Sequence, residues 1–172
     1  HNQIIKLAEK FGCKEVTLVG DRGMIKRCQI EELHANDFHF ITAITKPQIE
    51  SLIKKGTIQL ELFTEQLCEV AADGCRYILR RNPQRQIEIQ ASRQSKIQKV
   101  NEVIAKKNQY LEEHKKAQVG TVIKDVTSLL TKLQINDFVE ITNNGRVVHL
   151  TIKEDKLQKI SLLDGCYVIK TD

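Results

Sequence analysis

The chain has 172 residues with 27 Lys and Arg against 22 Asp and Glu, a formal net charge of +5, and 41% hydrophobic residues. That length suits one domain, or a compact core with an insertion, and the apolar share is enough for a buried interior. The charge permits nucleic-acid contact without requiring it, and no window approaches the roughly 20 apolar residues of a membrane span. With no signal-peptide pattern at the start, a soluble, cytoplasmic protein with no membrane partner is expected. Cys13, Cys28, Cys68, Cys75 and Cys166 form no Cys-x-x-Cys and no two histidines stand at zinc-site spacing, so free thiols are expected in place of a structural metal.

Taken in chain order, Ile4, Ile5, Leu7, Ala8 and Phe11 mark one face of a short helix ending at Gly12. Val16 to Gly20 is rich in β-branched residues without alternation and reads as a strand buried on both faces, carrying Asp21 at its end in a turn bracketed by Gly20 and Gly23. In open α/β sheets that end of a strand holds ligands and metals. The competing reading makes Asp21 the N-cap of the following helix. Ile25, Cys28, Ile30 and Leu33 suit that helix, Asn36-Asp37 closes it, and Phe38 to Ile44 reads as a second strand. A right-handed crossover would set the two strands side by side and parallel.

Lys46-Pro47 opens a brief helix to Lys55, after which Thr57 to Phe63 and Arg76 to Arg81 read as strands. From Gln84 to Lys116 a polar segment carries a narrow stripe of Ile97, Val100, Ile104 and Leu111, the mark of an amphipathic helix. Val119, Val122, Val126, Leu129, Leu130 and Leu133 form a complementary stripe, so two helices should pair across Ala117-Gln118. Phe138 to Thr142 and Arg146 to Ile152 read as a hairpin turning at Asn143-Asn144-Gly145, Leu157 to Leu163 as a further pairing segment, and Gly165 to Thr171 as a final strand.

The stretch from Phe11 to Ala43, with Val19-Gly20-Asp21-Arg22-Gly23-Met24 and a second strand ending Phe40-Ile41-Thr42-Ala43, resembles the region around the second catalytic aspartate of insertion-sequence transposases of the DDE type. Arg76 to Pro83, and Leu163 to Thr171, resemble later words of that family, the last like the segment before its catalytic glutamate. The resemblance implies an α/β fold: a partial ribonuclease-H-like core in residues 1–46, a mixed α+β insertion domain in 47–164, and a strand returning to the core in 165–172. It also implies Asp21 as a catalytic residue and as a ligand of Mg2+ or Mn2+, with transposon-end DNA and further copies of the full-length protein as partners.

Strand transfer by two metal ions needs several carboxylates. The family's first Asp is expected upstream of residue 1. Its glutamate lies in a pattern of Tyr, two residues, Arg, three residues, Glu. Tyr77 and Arg80 meet Gln84, Tyr110 meets Glu113 where Arg belongs, and Tyr167 runs out at Lys170, so the glutamate is expected beyond Asp172. On this reading the chain holds one acid of three. Glu31-Glu32, Glu112-Glu113 and Glu154-Asp155 read as solvated acids. DNA contact is expected from Arg22, Lys26 and Arg27 beside Asp21, and from a second strip of Arg76, Arg80, Arg81, Arg85, Arg93, Lys96 and Lys99. Lys106-Lys107 and Lys115-Lys116 read as a plain solvated face. Two alternatives remain at this point: a non-catalytic nucleic-acid-binding module, or an unrelated α/β domain holding a small ligand near Asp21, although no glycine-rich phosphate loop is present to bind nucleotides.

Overall fold

The computed structural model describes residues 15–25 and 27–172, with positions 6, 10 and 12. The apolar residues of the first expected helix lie outside them, as does Lys26. The described elements are, in order, β1 (Thr17–Gly20), α1 (Arg27–His34), β2 (His39–Ala43), α2 (Lys46–Lys54), β3 (Cys68–Ala72), β4 (Cys75–Arg81), α3 (Pro83–Glu113), α4 (Val119–Leu133), β5 (Val139–Asn144), β6 (Val147–Ile152), α5 (Glu154–Ser161) and β7 (Cys166–Thr171). The fold is mixed α/β, and the chain divides into two units: residues 1–83 with 165–172, and residues 84–164.

The first unit is built on a five-stranded sheet in the order β1-β2-β7-β4-β3. β1 and β2 run parallel, with Thr17 opposite His39 and Gly20 opposite Thr42, as the helix between them leads one to expect. The other neighbours are antiparallel. Alternation along the strands puts Phe40, Thr42, Val168, Tyr77 and Leu79 on one buried face. Ile49 of α2 is also buried, and α2 starts where Gln48 Oε1 accepts from the Thr45 N–H at 2.7 Å and the Thr45 hydroxyl at 2.9 Å, with Pro47 in the first turn. The opposite face is more open: Val19 is 71% and Ile41 39% exposed. β1 is therefore not buried on both faces, and among the described residues it lies at the rim of the sheet.

Two expected strands are differently placed. Residues 57–63 form a short 3-10 turn at Leu60–Leu62, and the strand comes later, at Cys68–Ala72. It pairs with β4 through the turn Asp73-Gly74, where both residues have positive φ (52° and 69°), the requirement of a tight two-residue hairpin. Because β4 pairs along its length with β7, residues 47–83 belong to the sheet unit, so the boundary expected after residue 46 falls after 83.

The second unit enters and leaves through adjacent strands: Arg81 lies opposite Cys166, and the Asn82 N–H donates to the Gly165 carbonyl at 2.9 Å. Within it α3 is one helix of 31 residues, and Ile97, Val100, Ile104 and Leu111 form its buried stripe. They share a core with Val122, Val126 and Leu130 of α4 and with Val139 and Val148 of the hairpin β5-β6. Each side chain so buried contributes roughly 1.5–3 kcal/mol. Lys107 Nζ lies 2.6 Å from Asp125 Oδ2; the two residues flank Lys116 symmetrically, as an antiparallel helix pair requires. The hairpin turn is shorter and later than the expected Asn143-Asn144-Gly145, because Asn143 and Asn144 still pair in the ladder, with Val148 and Val147. Gly145-Arg146 occupy the two central positions, Gly145 with φ of 57°, where a two-residue turn of type II′ calls for glycine. The segment expected to pair at 157–163 is helical, with Glu154 and Asp155 in the first turn favouring the helix N-terminus and Leu157 and Ile160 packed on the core.

Candidate nucleic-acid interface

Asp21 stands immediately beyond β1 and is exposed. Its Oδ1 accepts from the Arg22 N–H at 2.6 Å, and its carbonyl accepts from the Met24 N–H at 3.0 Å, closing a tight turn. Because α1 begins only at Arg27, Asp21 does not act as its N-cap. Gly20 makes this turn possible: a Cβ there would lie 2.7 Å from Cγ1 of Ile25, which folds back over the strand end. The turn thus presents one carboxylate to solvent with the exposed Arg22 beside it.

The topology adds further charge on the same side. β7 runs antiparallel to β2, and β4 antiparallel to β7, so the ends of β1, β2 and β4 share one edge of the sheet. Three strand spacings separate β1 from β4, about 14 Å. At the end of β4, Arg80 is exposed and its Nε donates to the Glu65 carbonyl at 2.9 Å, while Arg81 Nε donates to Cys166 Sγ at 3.3 Å. The Arg80 guanidinium is held by a neutral partner and keeps its charge for solvent or a ligand. Arg27 opens α1, and its side chain lies outside the description.

The remaining basic candidates divide by partner. Arg76 sits toward the other end of β4 and is bidentate to Glu69, Nε at 2.7 Å and Nη2 at 3.1 Å. The pair holds the Glu69 carboxyl below its ordinary range, the hydrogen bond from Arg76 being the main cause. Arg85 pairs with Glu88 at 2.8 Å. Arg93 departs most from the expected strip. Its Nη2 spans Asp164 at 3.0 and 2.9 Å, its Nη1 donates to Ser161 Oγ at 3.0 Å, and the Asp164 side chain is fully buried. Arg93 thus stabilises the interior of the second unit and does not sit on its surface. Lys99 is exposed and Lys96 half-buried on α3.

On the opposite edge His39 Nδ1 pairs with Asp172 Oδ2, and Asp172 Oδ1 accepts from the Phe40 N–H at 3.1 Å. The hydrogen bond that His39 donates to Asp172 raises the His39 pKa. Burial alone would push Asp172 upward, but the bonds from His39 and the Phe40 N–H outweigh it and hold the carboxyl low. These charges therefore belong to the pinning of β7 on β2, remote from Asp21.

A divalent ion takes several oxygen ligands. Among the described residues no three His, Cys, Asp or Glu side chains are gathered for one, so Asp21 offers a single carboxylate and does not complete a two-ion site with its described neighbours. Cys68, Cys75 and Cys166 are in no disulfide, and among the described residues no helix is long and apolar enough to cross a membrane.

Sequence pattern gave no hint of three polar anchors in the second unit. Arg93 with Asp164 is one. Asn108 is another: its amide donates to the Val148 carbonyl and accepts from the Val148 N–H, both at 2.9 Å, taping the outer edge of β6. In the third, Arg146 Nη2 donates to the carbonyls of Leu111, His114 and Ala117 at 3.0, 3.0 and 3.1 Å, closing the end of α3. All are long-range pairings of common surface residue types. Comparison of the chain with protein-family models, with curated proteins and with solved structures found no match.

Proposed function

We propose that this chain is part of a DDE-type insertion-sequence transposase, contributing the second carboxylate of a ribonuclease-H-like core, Asp21, together with an insertion unit, and that it engages DNA phosphates along the sheet edge that carries Asp21. The observation that carries the reading is the exposed carboxylate just beyond the first of two parallel strands, with Arg22 beside it and Arg80 on the same edge. In open α/β sheets that is where ligands are held. Arg and Lys bind phosphates through charge and release counterions, which gives affinity without base reading.

In the complete enzyme Mg2+ or Mn2+ would supply activation of the attacking oxygen and stabilisation of the leaving one. The part of this chain is narrower: Asp21 offers one of three acids, and Arg22, Arg80 and Arg81 orient the backbone. The protein would work in the cytoplasm, where its thiols stay reduced, and as an oligomer, because joining transposon ends brings two of them together.

Duplex DNA binding at low and raised salt, with a nicking assay in Mg2+ or Mn2+, tests this. Three arginine contacts predict a log–log salt slope of about −3, and a single carboxylate predicts no nicking. Binding that ignores salt, or no binding, would remove the interface. Metal-dependent nicking that Asp21→Asn abolishes would show that the other acids are within the chain.

A further inference from the structure

We infer that the tip of the α3–α4 helix pair is a stacking platform for an unpaired nucleobase, so that the chain holds single-stranded DNA there; this rests on the nucleic-acid reading above. Tyr110, in the last turn of α3, is 47% exposed. The other described Tyr and Phe residues are buried or half-buried. Its ring stacks on His114 with centroids 4.2 Å apart and planes 22° from parallel, and the His114 Nδ1–H donates to the Tyr110 carbonyl at 3.0 Å. One face of the phenol ring is thus backed by a fixed imidazole, which limits the motion the ring would lose on binding, while nearly half of the residue's surface stays in water. A large apolar ring left exposed and stiffened is poor material for a solvated helix face and good material for stacking.

The charge around it fits a polyanion. Residues 84–164 carry 14 Lys and Arg against 10 Asp and Glu, so most of the chain's net positive charge lies in this unit. Lys106 is exposed one turn before Tyr110, and Lys115 and Lys116 are exposed just after α3 ends. Arg146 brings its guanidinium to the same helix end. Of the nearby acids, Asp125 is paired with Lys107, whereas Glu113 accepts only from the neutral Gln109 amide at 2.9 Å, so Glu112 and Glu113 are the two charges opposing an anion, against Lys106, Lys115, Lys116 and Arg146. An aromatic face ringed by lysines is the arrangement that binds single strands, bases stacking and phosphates meeting the cations.

The test is anisotropy of a labelled thymidine oligonucleotide, and of a duplex of the same length, with the full chain and with Tyr110→Ala, Tyr110→Phe and a Lys115→Gln, Lys116→Gln double variant. Tyr110→Ala should weaken single-strand binding about tenfold while Tyr110→Phe stays close to wild type, since the ring and not the hydroxyl stacks. The double lysine variant should reduce the single-strand salt slope by about 1.4. Duplex binding should change less than about twofold with Tyr110→Ala. Because Tyr110 is outside the core, circular dichroism should show these variants folded. Unchanged single-strand affinity in Tyr110→Ala overturns the platform and leaves the duplex reading standing if wild-type duplex binding remains salt-dependent. No binding of either DNA by the wild type overturns both.

Discussion

The second unit closes its core from several sides, whereas the sheet of the first covers one face and leaves much of the other open. Val100, Val126 and Val148 are fully buried between two helices and a hairpin, and even around the ionic pair inside that unit, Arg93 with Asp164, no buried side-chain polar atom among the described residues lacks a hydrogen-bond partner. In the sheet unit Phe40, Leu79 and Val168 are as fully buried, yet Val19 and Ile41, opposite one another on the reverse face of the sheet, are exposed. The contrast separates two kinds of order. One unit is stabilised by closure, and the other presents an edge on which exposed charge, Asp21 with Arg22 and Arg80, remains available to a ligand.

The most damaging way to break the closed unit is at its buried charge. Arg93→Ala removes the bidentate guanidinium from the buried Asp164 carboxylate and should cost about 3–5 kcal/mol, read by urea unfolding. Replacing both residues by apolar ones of similar size should recover most of that loss; if Arg93→Ala alone is harmless, the pair is not buried as described. Next in size, Leu111→Ala and Leu79→Ala should each cost about 2–5 kcal/mol. Hydrogen exchange reads the two cores separately: Leu111→Ala should lower protection among residues 84–164, and Leu79→Ala among the five strands of the sheet. Equal loss everywhere from either change would mean that the two cores unfold as one.

A smaller effect is expected from His39 and Asp172. His39 has a raised pKa, so its contribution is complete below the ordinary histidine value and disappears as pH rises through the raised one. Asp172 has a lowered pKa, so its contribution is complete above the ordinary aspartate value and disappears as pH falls through the lowered one. The pair therefore helps most between about pH 4 and 6.5. His39→Gln should flatten the pH dependence of stability in that window, and an unchanged profile would show that the contact is not made. Smallest of all, Val19→Thr on the open face should change stability by less than about 0.5 kcal/mol.

Local pattern foretold some parts of the molecule and missed others for identifiable reasons. The stripe from Ile97 to Leu111 and its partner from Val122 to Leu130 were readable because a helix face repeats its apolar residues every three or four positions. The parallel pair β1 and β2 was readable because a helix lies between them. β3 was missed although Asp73-Gly74 is a strong hairpin signal, because Cys68 to Ala72 is short and its half-exposed residues resemble a loop. The unit boundary was misjudged because nothing local tells β4 that it will pair with β7, some 90 residues later. For the candidate site, Asp21 and its turn were legible from Gly20 and Gly23. That Arg93 would be buried and Arg80 exposed was not, since both depend on partners far along the chain.

On the function proposed above, the Asp21 carboxylate would bind a divalent metal ion at the open edge of the sheet. Mn2+ broadening of the backbone amide spectrum tests it most directly, because a paramagnetic ion bleaches nearby signals even when held weakly. Gly20, Arg22, Gly23 and Thr42 should broaden first, and Asp21→Asn should remove the effect while the rest of the spectrum is unchanged. Broadening centred on other acids, or identical in Asp21→Asn, would contradict it.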